Sequence, residues 1–279
     1  MQYRIEHRTR YRYAYPAVAT KQVLRLSPRR DPHQRVLWWQ LNAPGPLNPL
    51  TDAYRNVSHL HVLSGEHDSV LIEAIGAVEV ERLRDGRLDE RDGLPPVAFL
   101  GTTHLTALDE GAREFVQRHL RGRTAAQLLD FALAVREAVA YQPGATHVQT
   151  RAVDALALGR GVCQDHAHVF VAGCRALGIP ARYVSGYYHR PHHAGEAATH
   201  AWADAWIAES GWVSIDITHG GFASEELCRL AVGRDYDSAS PIRGVRVGGG
   251  EEAMDVAVEI REEAEAAPAV SSQAPEEIA

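Results

Sequence analysis

Apolar and polar positions alternate from the start of the chain, where Tyr3, Ile5, Thr9, Tyr11, Tyr13 and Tyr15 interleave with Arg4, Glu6, Arg8, Arg10 and Arg12. A period of two puts each set on its own face, which predicts a half-buried β-strand over residues 2–15. Shorter stretches at Gln22 to Leu26, Val36 to Leu41, Ser58 to Leu63 and Val70 to Glu81 are separated by Pro, Gly, Asn and Asp clusters. Together they predict an antiparallel sandwich over the first hundred residues. The charged, Gly- and Pro-containing stretch from Asp85 to Pro96 is the predicted linker.

Beyond it the period lengthens to that of a helix. Leu108 to Leu120 forms one helical pattern, and Thr124 stands as N-cap before Leu128, Leu129, Ala132, Leu133, Val135 and Val139. Residues 151–158, with Thr150 as cap, end at Gly159, and Cys163 to Leu177 stops at Gly178 with Pro180 beyond. Strand patterns return at Ala181 to Tyr188, Ala201 to Ile207, Trp212 to Ile217, Ile242 to Val247 and Met254 to Ile260, with a short helix expected at Ser224 to Leu230. The predicted fold class is α+β: an N-terminal antiparallel β domain over 1–95, then helices packed on an antiparallel sheet over 96–261. The last stretch, 262–279, lacks periodicity and reads as a disordered acidic, Ala- and Pro-rich tail.

Composition narrows the function classes. With 279 residues, 45% hydrophobic and 23% charged, the chain is an ordinary globular one rather than a disordered or collagen-like one. A net charge of −7 argues against a nucleic-acid partner, and the arginines crowding the first thirty residues fit the wet face of a strand. Apolar runs fall short of the roughly 18 residues that span a bilayer, and MQYRIEHRTRYRY has no signal-peptide core, so a cytoplasmic protein with no membrane partner is expected. Three cysteines make no secreted disulfide framework, leaving thiols free for chemistry.

Chemistry concentrates between residues 161 and 219. Cys163 follows Gly159, Arg160, Gly161 and Val162, so a glycine-containing turn delivers it to a helix start, where free N–H groups and the positive end of the dipole favour a thiolate. The alternative is a small apolar residue on a buried face, which is the reading for Cys174 and Cys228. His200, Trp202, Asp204 and Trp206 share one face of the strand HAWADAWI, and Trp212, Ser214 and Asp216 share one face of the next. An odd hairpin loop centred on 208 would set His200 directly opposite Asp216, close enough to hold an imidazole by one nitrogen and turn the other to Cys163.

The runs GVCQDHAH (161–168), CRALGIPARYVSGYY (174–188), THAWADAWI (199–207) and GWVSIDITHG (211–220) resemble the bacterial transglutaminase-like superfamily, and the first ninety-odd residues resemble its accompanying β-rich N-terminal region. The resemblance implies a papain-like core, with Cys163 as nucleophile, His200 as base and Asp216 as orienter. The partner it implies is a peptide or protein carrying an amide acyl donor, with water or an amine as acceptor and no cofactor.

An oxyanion site is expected from the Cys163 N–H plus a second donor, for which Gln142 and Tyr141 are the candidates. Gln164 and Asp165 are expected to line the cleft or cap the helix, and Trp202 and Trp206 to wall it. Two other readings stand beside this one. A Cys/His metal site would draw on Cys163, His166, His168, His189, His192, His193, His200 or His219, although neither CxxC nor HExxH is present and no metal is expected. A non-catalytic interaction module on the same fold would be marked by loss of Cys, His or Asp, and all three are here.

Overall fold

The computed structural model describes residues 1–90, 93–189 and 198–263. The chain opens with β1 (Gln2–Leu24), β2 (Gln34–Asn42), β3 (Leu47–Thr51), β4 (Val57–Val80) and the short β5 (Arg87–Leu88). Helices α1 (Glu110–His119) and α2 (Ala125–Ala138) follow, then β6 (Ala140–Tyr141), α3 (Ala152–Leu158), β7 (Arg160–Gly161) and α4 (Cys163–Ala176). The remainder is β8 (Ala181–Tyr188), β9 (Ala198–Ile207), β10 (Gly211–Asp216), β11 (Gly221–Phe222), β12 (Leu227–Gly233), α5 (Tyr236–Ala239), β13 (Ile242–Gly248) and β14 (Glu252–Glu263). Among the described residues, no helix is long and apolar enough to cross a membrane.

The expected short strands of the first hundred residues are instead two long ones. β1 runs through Pro16 to Leu24 and β4 runs through Gly65, and their antiparallel pairing breaks register between Arg12 and Ala19. The turn residues thus bend continuous strands rather than ending them. What was expected as a sandwich is one six-stranded sheet bent on itself: Tyr11, Val70 and Ile72 from one half share a core with Leu24, Leu26 and Leu63 from the other. Tyr15, at the bend, is left 72% exposed although it continues the alternation.

The outer edge of β1 is covered from the far end of the chain. β14 pairs with Gln2 to Tyr13, and β13 with Ala17 to Leu24. Strand character at 242–260 was legible, but its partner, more than two hundred residues away, was not. β14 extends to Glu263, so the tail drawn from residue 262 begins inside a strand, and 264–279 lie outside the described residues.

The second sheet is antiparallel in the order β11-β10-β9-β8-β12, with β5 on β10. The stretch read as a linker therefore supplies an edge strand at Arg87–Leu88. Helices α1, α2 and α4 cover the face formed by Ala203, Ala205, Ile207, Val213 and Ile215. α2 starts with the expected Thr124 cap, which accepts from Gln127 N, whereas α3 is capped at Arg151 while Thr150 Oγ1 accepts from His147 N. The helix expected at Ser224 to Leu230 is absent. Leu227 to Gly233 forms β12, buried on both faces, and a strand without a wet face shows no alternation to read.

Apolar and ionic contacts both join the sheets. Tyr3, Ile5, Val78 and Ile260 pack with Tyr187, Cys228 and Leu230, and His7 Nδ1 hydrogen-bonds the Tyr187 hydroxyl at 2.8 Å. Beside them lies a buried ionic network. Asp204 receives Arg229 at 2.6 and 3.0 Å and Arg182 at 2.7 Å; Arg229 also reaches Asp31 at 2.8 Å, and Arg182 pairs with Glu90. Burial opposes the charge on Asp204, and the two guanidinium groups overcome it, holding the carboxyl far below its ordinary range.

Candidate active site

Local backbone chemistry places Cys163. α3 ends at Gly159, whose φ of 66° is the left-handed conformation typical of a helix stop, and β7 then pairs in parallel with β6. Val162 precedes the helix and has no side-chain cap of its own. Asp165 substitutes for one: its Oδ2 accepts from Val162 N at 2.8 Å and from the Thr146 hydroxyl at 2.6 Å. A Cβ on Gly161 would lie 2.6 Å from that same oxygen, so only glycine lets the chain pass. Cys163 is therefore the first residue of α4, partly exposed, while Cys174 and Cys228 are buried.

His200 and Asp216 come from neighbouring strands. The β9–β10 ladder pairs Ile207 with Gly211 and Ala203 with Ile215 across the loop 208–210, so the hairpin is centred on 209 rather than 208. Direct opposition of His200 and Asp216 is corrected to a diagonal relation, two positions out of line but still within side-chain reach. His200 Nε2 lies 2.9 Å from Asp216 Oδ2. The ring also interacts with the Cys163 side chain, and with Nε2 engaged by Asp216 the nitrogen left for it is Nδ1. Burial disfavours a charged imidazole, but the Asp216 carboxylate and the bonds to Asp216 and Cys163 outweigh it and raise the His200 pKa to about 10. Asp216, despite its own burial, is held well below the usual carboxylate range by His200 and His219.

The other candidates separate. Trp202 is fully buried, stacked beneath His200 at 6.0 Å and 25°, and its Nε1 donates to Ser214 Oγ at 3.0 Å. It supports the imidazole and walls no cleft. Trp206 packs edge-on against Trp212. Gln164 donates to Val148 O at 3.2 Å, tying down the loop beside the helix start. Tyr141 on β6, and Gln142 just after it, lie alongside β7, the strand leading to Cys163, where Gln142 N donates to Gly161 O at 2.7 Å. Burial raises the Tyr141 phenol pKa, with a smaller contribution from the charge of Cys163.

Of the histidines weighed as metal ligands, His166 and His168 hold structure. His166 Nε2 donates to Val139 O at 2.7 Å, leaving Nδ1 to accept from the Thr218 hydroxyl at 3.0 Å. His168 Nε2 accepts from Tyr236 N at 3.1 Å, and burial lowers its pKa to about 4. His189 packs against Tyr3, and His192 and His193 lie outside the described residues. His219 beside Asp216 is the member of the site that strand alternation does not reveal. Its Nδ1 lies 2.6 Å from Asp216 Oδ2, and its backbone N donates to Asp216 Oδ1 at 3.2 Å. The i, i+3 spacing within DITH was the available signal.

Comparison with known proteins supports the same region. Residues 113–217 match the model of the transglutaminase-like superfamily, and residues 3–79 match that of the bacterial transglutaminase-like N-terminal region. An uncharacterised protein of Mycobacterium leprae is 32% identical over 284 residues, covering 92% of this chain and 97% of that one. A protein-glutamine gamma-glutamyltransferase of Pseudomonas aeruginosa is 38% identical over 69 residues, covering 21% of this chain and 10% of that one. The fold is shared with a crystal structure from Cytophaga hutchinsonii provisionally described as a cysteine protease, with a TM-score of 0.78, 20% identity and coverage of 96% of this chain and 93% of that one.

Proposed function

We propose, for a chain that belongs to the transglutaminase-like superfamily, that it is a cysteine-dependent acyl-transfer enzyme acting on peptide or glutamine-type amides. One observation carries the reading: a single imidazole is held by Asp216 through Nε2 and also interacts with the Cys163 side chain, so nucleophile, base and orienter meet at one ring. A base so oriented takes the thiol proton, and the carboxylate fixes its tautomer and balances its charge.

In this reading Cys163 Sγ attacks the amide carbonyl carbon, and the resulting oxyanion is met by the Cys163 N–H, free by its position at the helix start. We assign the second donor to the Tyr141 phenol, which stands on β6 beside β7, the strand that leads into Cys163. As the C–N bond breaks, the imidazolium of His200 gives its proton to the leaving amine, and a thioester remains. Water or a primary amine then attacks that carbonyl, passes its proton to His200 and releases the thiolate. Water gives hydrolysis, and an amine gives transamidation.

Intact-mass analysis of peptide libraries, incubated with and without a primary amine, tests the reading. A cut peptide, a gain of about 1 Da on glutamine, or an amine adduct is the expected outcome, each absent with Cys163→Ala. Turnover that survives Cys163→Ala would overturn it.

A further inference from the structure

We propose that His200, Asp216 and His219 form an inhibitory binding site for a divalent transition metal of the zinc class. The donor atoms of the three side chains lie within 4.8 Å of one another. Two imidazole nitrogens converge on one carboxylate oxygen, Asp216 Oδ2, from 2.9 and 2.6 Å. Zinc binds nitrogen and oxygen at about 2.0–2.2 Å, so ligand atoms around a tetrahedral ion stand about 3.3 Å apart, and the two nitrogen–oxygen separations would have to open by about 0.4 and 0.7 Å to admit it. Three protein ligands leave the fourth position to water.

The surroundings favour this trio over a chance surface cluster. His200 and Asp216 are buried, while the His219 side chain is 44% exposed and gives an ion a route from solvent. His219 is fixed by its ring packing at a tilt against Tyr188, centroids 4.4 Å apart, and by its backbone bond to Asp216, and the preceding Thr218 hydroxyl is held by His166. Such outer contacts orient ligands before the ion arrives. Coordination displaces the His200 Nε2 proton to solvent and moves the His219 ring proton from Nδ1 to Nε2. A proton taken up on Nδ1, the nitrogen toward Cys163, then leaves the metallated ring a neutral ligand, a far weaker acid than imidazolium, so it cannot protonate the leaving amine.

The inhibitory role rests on the acyl-transfer reading; the binding site does not. Zinc chloride is titrated calorimetrically into the full chain carrying His192→Ala and His193→Ala, which removes two imidazoles outside the trio. One ion per chain is expected, with affinity unchanged by Cys163→Ala and weakened at least tenfold by His219→Asn, which keeps a side-chain N–H for Asp216 but offers a poor zinc ligand. Binding lost with Cys163→Ala would show the ion bridging thiol and imidazole, and unaltered affinity in His219→Asn would place it elsewhere; either overturns the site. For turnover, zinc should inhibit reversibly with chelator, and the inhibition constant should rise at least tenfold in His219→Asn against that variant's own metal-free rate. Bound zinc with undiminished turnover would overturn the inhibitory role, whereas bound zinc on a chain without turnover would instead sink the acyl-transfer reading.

Discussion

Asp216 reaches His200 diagonally across the β9–β10 ladder, two positions out of direct opposition, with Oδ2 and Nε2 2.9 Å apart. The offset leaves room at the same carboxylate for His219, which follows in the turn beyond β10. Asp216→Asn removes the charge but keeps the shape. On the acyl-transfer reading its cost is on the order of 10³- to 10⁴-fold in kcat, because the amide no longer sets the tautomer or balances the imidazolium. The alkaline limb of the activity profile should move to lower pH, since the carboxylate is the foremost of the influences that raise the His200 pKa to about 10, ahead of Cys163.

The same coupling has a stability signature. A group whose pKa is raised on folding contributes fully below its unfolded value, about 6.5 for histidine, and the contribution is lost as pH rises through the folded value. For His200 that window runs from about 6.5 to about 10. Urea midpoints measured across it should fall in the wild type, and Asp216→Asn should flatten that fall.

Thiol labelling should be selective. Cys163 is partly exposed, whereas burial pushes the thiols of Cys174 and Cys228 far above their ordinary range. Iodoacetamide at mildly acidic pH should add one mass increment to the native chain and none to Cys163→Ala. Equal labelling of all three thiols by intact mass would contradict the assigned nucleophile.

How much of this was legible follows from where each signal resides. Cys163 stood out because a helix start is a local event, written in Gly159, Gly161 and the apolar period after it. The His200 and Asp216 faces were legible because alternation survives where one side of a strand packs on helices. The register was not, since it depends on where the turn around Glu209 closes. β12 and the Arg229–Asp204–Arg182 network were hidden for a related reason. A strand buried on both faces shows no period, and a charge neutralised by residues far along the chain looks, in sequence, like any solvated charge.

That network makes a prediction about folding rather than chemistry. Asp204→Asn leaves Arg182 and Arg229 buried with their charges less compensated, which should cost about 3–5 kcal/mol in chemical denaturation at neutral pH. Because the Asp204 pKa is depressed on folding, its contribution is present above the unfolded value of about 3.9 and is lost as pH falls toward the folded one. The gap between wild type and variant should therefore narrow in acid, and a gap that stays constant from pH 7 to pH 2 would place the destabilisation in packing.

Gly186 tests whether the floor beneath His200 matters. It pairs with His200 on the neighbouring strand, and a Cβ there would come within 2.1 Å of the Cys228 carbonyl oxygen and 2.5 Å of the Trp202 ring. The carbonyl belongs to the β8–β12 ladder and has little freedom to retreat, so strain passes to that ladder and to Trp202, on which His200 stacks. Gly186→Ala should lose about 1–3 kcal/mol of stability, the usual cost of overpacking a filled core. On the acyl-transfer reading, kcat should fall at temperatures where the variant is still folded, with KM little changed, because the tilted ring misaims Nδ1 without touching substrate contacts. Ser185→Ala, which removes only a hydrogen bond to Ala239 O, serves as the comparison: it should cost about 1 kcal/mol and leave kcat alone. Equal kcat losses in both variants would mean that general loosening of β8, rather than the position of Trp202, sets the rate.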